Sequence, residues 1–67
     1  MAEAIRYPGI TVELSGQDGN AVRIVMAVER ALRRAGHGGE TAQFRREALS
    51  GNYDNVIATT MRWVTVT

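Results

Sequence analysis

Residues 21–35 constrain the fold more than any other part of this sequence. At 100° per residue, their aliphatic side chains fall on one stripe of a helical wheel: Ala21, Ile24, Val25, Val28, Ala31, Leu32 and Ala35. Three arginines, Arg23, Arg30 and Arg34, fall on the opposite side. Such a pattern over four turns predicts an amphipathic helix that buries its aliphatic stripe.

The residues that flank this segment predict where the helix begins and ends. Asn20, or Asp18 if the helix begins earlier, can accept hydrogen bonds from the free amides of the first turn. Gly36 follows the last periodic residue and can adopt the left-handed conformation that ends many helices. Glu29 and Arg33 are spaced to form a favourable ion pair within the helix.

The remaining pattern predicts two strands and two shorter helices. Residues 10–14 and 63–67 alternate apolar with polar side chains, as a strand with one buried face does. Residues 40–49 predict a second helix and residues 53–62 a third, with Asn52 as its cap. The predicted inward side chains of these two helices are Phe44, Ala48 and Leu49, then Tyr53, Val56, Ile57, Thr60, Met61 and Val64.

The resulting order is β-α-α-α-β, a small α+β domain over residues 10–67 in which two short strands pack against three helices. Residues 1–9 are predicted to be a flexible leader that ends at the turn-forming pair Pro8 and Gly9. Two strands alone are marginal in water. They must pair with each other beneath the helices or add to another copy across a free strand edge, so we expect a homo-oligomer.

Length and composition exclude several classes of protein. A chain of 67 residues builds one domain and buries only about 60% of the surface that it exposes when unfolded. It has no cysteine, which excludes disulfides and thiolate metal sites. The formal charge of +1 is too small to indicate nucleic-acid or membrane binding by itself. No signal peptide or membrane-spanning run is present, and we expect a cytoplasmic protein.

One face of the long helix has the composition of a protein interface. Val22 and Met26 lie outside the aliphatic stripe, among Arg30 and Arg33. Methionine and arginine are enriched at interfaces, so this face is predicted to contact a protein or an anionic ligand. The alternative is an ordinary solvated helix face.

The glycine-rich segment before the long helix is a candidate anion site. Gly16, Gly19 and Asn20, with Arg23 in the next turn, place free amides and a guanidinium together. The segment lacks the Gly-Lys-Ser/Thr ending of a phosphate-binding loop and the three-glycine pattern of dinucleotide-binding folds. An ordinary capping turn is the alternative.

Tyr53 and Trp63 are candidates for stacking on a nucleobase, since Trp63 directly follows Arg62. The alternative is core packing, with the phenol and indole polar groups reaching the surface. Nucleic-acid binding through Arg45 and Arg46 is less favoured, because Glu47 lies beside them and cancels much of their charge.

The sequence predicts no catalytic residue, no metal site and no cofactor, and therefore a protein that is not an enzyme. His37 is the sole histidine and lies in a glycine-flanked turn without a second metal ligand. The acidic residues are scattered, and each has a structural explanation such as a cap or an ion pair.

Four segments resemble a family of small uncharacterised proteins from phages, prophages and bacterial genomes. They are LSGQDGNA at 14–21, ALRRAG at 31–36, EALSGNYDN at 47–55 and MRWVTV at 61–66. The resemblance covers residues 10–66 and leaves out the leader. It implies a phage or mobile-element setting, but no functional residue can be transferred from it.

Three functions remain open. The first is a non-enzymatic, oligomeric binding module that contacts a host protein or its own copies. In a phage setting such a module can interfere with a host defence system. The second is an oligomeric binder that sequesters an anionic nucleotide signal, and the third is a nucleic-acid-binding accessory protein.

Overall fold

The computed structural model describes residues 4–14 and 20–67. Its elements are strand β1 (Tyr7–Val12), helix α1 (Ala21–Arg34), a 3₁₀ turn (Gly38–Glu40), helix α2 (Thr41–Ala48), helix α3 (Tyr53–Trp63) and strand β2 (Val64–Val66). The predicted β-α-α-α-β order and the α+β class are confirmed.

The two strands form one parallel sheet, in which Thr11 pairs with Thr65 and Val12 with Val66. The ladder continues past β2, because the Thr67 amide donates to the Val12 carbonyl at 3.0 Å. The chain therefore leaves the sheet after β1, forms three helices, and returns beside its starting strand in the same direction.

The first strand begins earlier than the sequence indicates, so the predicted leader is too long. β1 begins at Tyr7 rather than Ile10, and Pro8 and Gly9 lie inside it. The pairing register is irregular between Tyr7 and Thr11, which is where these two residues lie. The Thr65 hydroxyl donates to the Pro8 carbonyl at 2.8 Å and holds this stretch in the sheet. A proline is tolerated here because β1 is an edge strand, where an amide can be missing.

The core lies between the sheet and the helices. Its buried apolar residues are Val12, Ile24, Val25, Val28, Leu32, Phe44, Ala48, Val56, Trp63 and Val64. Helix α1 supplies four of these from the predicted stripe. Phe44 meets Trp63 edge-on, with 5.4 Å between ring centroids and 77° between ring planes, a favoured aromatic geometry.

The predicted inward faces of the two shorter helices need three corrections. Leu49 is 47% exposed, because α2 ends at Ala48 and the helical spacing no longer applies to the next residue. Tyr53 and Met61 are 43% and 56% exposed. The buried face of α3 carries the predicted Val56 and Thr60, together with Thr59 and Trp63.

The predicted caps of α1 and the predicted N-terminal cap of α3 are confirmed, whereas α2 is one residue shorter at each end than predicted and α3 is one residue longer. The Asn20 side chain accepts a hydrogen bond from the Val22 amide at 2.9 Å. The Asn52 side chain does the same for the Asn55 amide at 3.1 Å. Gly36 adopts a φ of 86°, in the left-handed region, directly after α1. Across residues 4–14 and 20–67, no helix has both the length and the apolar character needed to cross a membrane.

Candidate functional site

Helices α1 and α2 enclose a surface groove of about 450 Å³. Its lining residues are Val22, Val25, Met26, Glu29, Arg30 and Arg33 from α1, and Arg45 and Leu49 from α2 and its end. The groove thus contains all four residues predicted to form an interface: Val22, Met26, Arg30 and Arg33. We call it the α1/α2 groove.

One part of the groove is apolar. Val22 is 55% exposed, Met26 48% and Leu49 47%. These are three of the largest apolar side chains at the surface of the described chain, and all three line the same concavity. Exposed apolar side chains gathered in one place mark surfaces that bind partners or ligands.

A buried carboxylate forms the charged centre of the groove. Glu29 is only 3% exposed, and both of its oxygens bind Arg45. The Arg45 Nε and Nη2 atoms donate to Glu29 Oε2 and Oε1 at 2.7 and 2.8 Å, a planar two-bond contact. The hydrogen bonds and charge of Glu29 raise the pKa of the Arg45 guanidinium above its ordinary value. Arg45 is therefore held in one orientation, permanently charged, at the edge of the groove.

The predicted ion pair within α1 is also present, but it is the weaker contact of Glu29. Arg33 Nη2 lies 3.9 Å from Glu29 Oε1, against 2.7 Å for the closest Arg45 contact. The tertiary partner thus dominates over the local one.

The groove carries net positive charge. Three arginines and one carboxylate line it. The adjoining hollow adds Arg46, together with Thr41 and Ala42 from the start of α2. Since the whole chain has a formal charge of only +1, its positive charge is concentrated here. An anionic group is the natural polar ligand of this surface.

Met26 and Arg30 also line a second hollow, on the other side of α1, together with Arg23 and Ala27. Val22, Met26 and Arg30 are four residues apart in sequence, so they form one row along the helix. We call this row the α1 ridge. It stands between two depressions, the α1/α2 groove and the Arg23 hollow.

The predicted anion site is only partly described. Gly16 and Gly19 lie outside the described residues. Asn20 caps α1, as the alternative interpretation of this segment expects. Arg23 lies beside Met26 and Arg30 rather than in the α1/α2 groove. The anion site remains a prediction.

Trp63 does not provide an exposed stacking surface, because it is only 3% exposed. Its indole Nε1 donates to Glu47 Oε1 at 2.9 Å, and the Arg6 guanidinium lies 4.2 Å from its ring centroid. The packing interpretation applies to this residue. Tyr53 is exposed but lies at the opposite end of α3, about 15 Å along the helix axis, so the two rings form no joint platform.

The environment of Trp63 includes an acid that the sequence pattern did not single out. Glu47 accepts hydrogen bonds from the Trp63 indole and from the Gln43 amide, at 2.9 and 3.1 Å. These bonds, with smaller contributions from the charges of Arg6 and Arg62, lower the pKa of the Glu47 carboxyl. The contact joins α2 to the end of α3 and is structural.

A second polar cluster fastens the start of β1 to the 3₁₀ turn. The Tyr7 ring stacks on His37 at 4.2 Å between centroids, and the Tyr7 hydroxyl donates to Glu40. Arg6 Nη1 lies 3.3 Å from the same carboxylate. His37 thus packs against the residues that the sequence assigned to a leader.

Within the described ranges, no group of histidine, cysteine, aspartate and glutamate side chains is arranged to hold a metal ion. No family model matches the sequence, and neither a curated protein nor a solved structure matches it.

Proposed function

We propose that this protein is a non-enzymatic interaction module that acts as an oligomer and binds protein partners through the α1/α2 groove. The observation that carries the proposal is the composition of the groove. Three half-exposed apolar side chains lie among three arginines, one of which is held in place by a buried carboxylate. Arginine and methionine are enriched in protein interfaces. Interfaces also have an apolar centre surrounded by polar and charged groups, and the α1/α2 groove shares this arrangement.

The sheet supports the oligomeric part of the proposal. It has two strands, so each strand has one edge without a neighbouring strand within the described residues. An edge strand presents unpaired backbone groups that can pair with a strand of another chain, and a two-stranded sheet gains stability from such added contacts. The free strand edges and the α1/α2 groove are different surfaces. A chain can therefore add to another copy through a strand edge and still bind a partner in the groove.

The cellular setting of the proposal rests on the sequence resemblance. A small phage or mobile-element protein of this kind would act in the cytoplasm of its bacterial host. Interference with a host defence system, by covering a surface of one of its proteins, is the role that we propose there.

Site-specific photo-crosslinking in bacterial cells tests the groove. A photoreactive amino acid placed at Met26 should yield discrete cross-linked products. The same group at Met61, which is slightly more exposed but does not line the groove, should not yield them. Products common to both positions would contradict the proposal.

A pair of neighbouring arginines supplies the matched control. Arg33 lines the groove, whereas Arg34 is exposed outside it. Arg33→Ala should abolish the products formed from position 26, and Arg34→Ala should leave them. Equal effects of the two substitutions would show that general charge, rather than the groove, produces the cross-links.

An anionic nucleotide is the second candidate ligand, and two observations favour it. The groove volume of about 450 Å³ lies within the range of small-molecule sites. Its arginines outnumber its carboxylate, which suits phosphate groups. Calorimetry against a panel of cyclic di- and trinucleotides tests this function, and absence of heat across the panel would rule it out.

Nucleic acid is the least favoured of the three. Binding to single strands depends on exposed aromatic side chains beside basic ones. Trp63 is buried, and no aromatic residue lines the α1/α2 groove.

A further inference from the structure

We infer that the hollow beside the α1/α2 groove is a binding site for a phosphoryl group, carried by free phosphate or by a phosphate monoester. We call it the Arg46 hollow. It has a volume of about 330 Å³ and is lined by Glu29, Arg33, Thr41, Ala42, Arg45 and Arg46. The inference goes beyond the proposed function, because Arg46 lines this hollow and does not line the groove.

Three guanidinium groups from two helices meet at the Arg46 hollow. Arg33 lies in the last turn of α1, and Arg45 and Arg46 lie in the last turn of α2. The side chains are open to solvent, with Arg33 61% and Arg45 56% exposed. Like charges that share one hollow repel each other, and an anion bound between them replaces this repulsion with attraction.

The carboxylate in the hollow does not neutralise all three arginines. Both oxygens of buried Glu29 accept hydrogen bonds from Arg45, at 2.7 and 2.8 Å. Arg33 Nη2 lies 3.9 Å from Glu29 Oε1, which is beyond hydrogen-bond distance. Three arginines and one carboxylate leave the hollow with a net charge of +2, which resides on Arg33 and Arg46.

Arg46 in particular is available to a ligand. No acidic residue lies three or four positions from it along the helix, where an ion pair would form. The acid next to it in sequence, Glu47, accepts hydrogen bonds from Gln43 and Trp63 instead. Among residues 4–14 and 20–67, Arg46 forms no ion pair with a carboxylate. Its guanidinium is therefore free to bind an anion in the hollow.

Arg45 supplies donors that are already in place. A guanidinium has five N–H groups, and Glu29 occupies two of those on Arg45. Because these two bonds fix the guanidinium plane, an anion binds the remaining donors without the entropy loss of ordering that side chain. Planar guanidinium donors match the oxygens of a phosphoryl group, and hydrogen bonds between charged partners are stronger than neutral ones.

Charge and size favour a phosphoryl group over a carboxylate. A phosphate monoester carries about two negative charges and three acceptor oxygens at neutral pH, which matches a hollow with two uncompensated arginines. A carboxylate carries one charge on two oxygens. The volume of about 330 Å³ lies near the lower end of the range for small-molecule sites, so the hollow has room for a phosphoryl group and part of the group attached to it.

Nuclear magnetic resonance of the full chain tests the site. Sodium phosphate is added at constant ionic strength, with sodium chloride as the matched control. The side-chain signals of Arg33, Arg45 and Arg46 should shift until they saturate, and those of Arg34, which lines neither the hollow nor the groove, should not. Equal shifts at all four arginines, or shifts that do not saturate, would overturn the inference.

Two glutamine substitutions provide the matched variants. Arg46→Gln should weaken phosphate binding about tenfold or more, because it removes one charged donor from the hollow. Arg34→Gln removes the same charge from another exposed helix position and should leave the affinity unchanged. Glutamine retains high helix propensity, so both variants should fold. Equal affinities of the two variants would show that net charge, rather than the hollow, attracts phosphate, and would overturn the inference.

A nucleoside monophosphate distinguishes the two sources of the phosphoryl group. Adenosine 5′-monophosphate that binds more tightly than inorganic phosphate would assign the site to a monoester, and equal affinities would assign it to phosphate alone. Adenosine without the phosphate should not bind. Binding of adenosine as tight as that of the monophosphate would overturn the inference.

Cross-linking from position 26 separates failure of this inference from failure of the proposed function. Arg46→Gln should leave those cross-linked products unchanged, because Arg46 does not line the α1/α2 groove. Cross-links without phosphate binding would refute the Arg46 hollow and leave the proposed function. Phosphate binding without cross-links would refute the groove as a protein-binding surface and leave the Arg46 hollow.

Discussion

Met26→Asp should abolish partner binding at the α1/α2 groove. The variant is informative only if the isolated chain still folds, and the structure predicts the cost in stability. Met26 is 48% exposed, so about half of its surface is covered within one chain. Complete burial of a methionine contributes about 1.5–3 kcal/mol, so the covered half contributes about 1 kcal/mol. The lower helix propensity of aspartate costs about 0.5 kcal/mol more.

Part of this loss is recovered by charge. A carboxylate at position 26 lies one turn from Arg30, and such a pair stabilises a helix by about 0.2–0.5 kcal/mol. The net loss in the free energy of unfolding is therefore about 1 kcal/mol. In a domain of this size, that lowers Tm by roughly 4–8 °C.

Met61→Asp should destabilise the chain more than Met26→Asp does, although Met61 is the more exposed residue at 56%. Met61 lies two residues before Trp63, where α3 ends. A negative charge in the last helical turn costs about 0.3–1 kcal/mol. The residues four positions away, Ile57 and Thr65, are not basic and supply no compensating pair.

Thermal unfolding followed by circular dichroism checks both values, at the lowest concentration that gives a signal, so that subunit contacts contribute little. The expected order of Tm is wild type, then Met26→Asp, then Met61→Asp. Loss of cooperative unfolding in Met26→Asp would show that Met26 belongs to the core and would refute the interface assignment. If this order is observed, loss of partner binding in Met26→Asp cannot be attributed to poorer folding, because Met26→Asp is then the more stable of the two variants.

Three further predictions concern the fold. In the folded chain, the hydrogen bond from the Trp63 indole lowers the pKa of Glu47 below its ordinary value of 4.5, so the stabilisation is full above pH 4.5 and is lost as the pH falls through the lowered pKa. The unfolding midpoint should therefore depend less on pH in Glu47→Gln than in the wild type, between neutral and acidic pH. An unchanged pH dependence would contradict this assignment. Gly36→Ala should lower the free energy of unfolding, measured in urea, by about 1–2 kcal/mol, because Gly36 has a positive φ. Gly39→Ala is the control and should be nearly neutral, since Gly39 has no positive φ and a Cβ there would meet open space. Asn52→Ala should lower the free energy of unfolding by about 1 kcal/mol, because it removes the cap of α3. Asn52→Asp keeps a capping oxygen and should lower it much less. Equal losses in the two variants would show that the cap does not stabilise this end of the helix.

Local signals in the sequence were sufficient for α1 and its ends. The helical period repeats over four turns, and the caps Asn20 and Gly36 depend on neighbours only a few residues away. The same helical spacing explains why the four residues of the predicted interface lie together, while the interface itself stays a prediction. Val22, Met26, Arg30 and Arg33 share a face by helical spacing alone, and the structure places all four in one groove.

The start of β1 was not predictable from local signals. Pro8 and Gly9 usually mark a turn, and here they lie within a strand. The irregular register beside them absorbs the extra length, and Thr65, from the other end of the chain, fixes the Pro8 carbonyl. A contact between positions 57 residues apart leaves no trace in a short sequence window.

The same limit explains why the sequence revealed Arg33 as a partner of Glu29 but not the closer partner, Arg45. The helical spacing points to Arg33, which does lie nearby at 3.9 Å. The closer partner is Arg45, 16 residues away, and it is brought to Glu29 by the packing of α2 on α1. Periodicity identifies the face of a helix but not which neighbouring helix that face meets.

The Glu29–Arg45 pair fits the binding role that we propose for the groove better than a role in stability alone. The Glu29 side chain is buried, whereas the Arg45 side chain is 56% exposed. A carboxylate loses its hydration when it is buried, and an ion pair often offsets little more than this loss. Stability alone therefore gives little reason to bury a carboxylate beside the apolar stripe of α1. The pair does fix the guanidinium plane of Arg45 at the groove edge. Two of its N–H groups are occupied by Glu29, and its remaining N–H groups are left for a ligand that approaches from the groove.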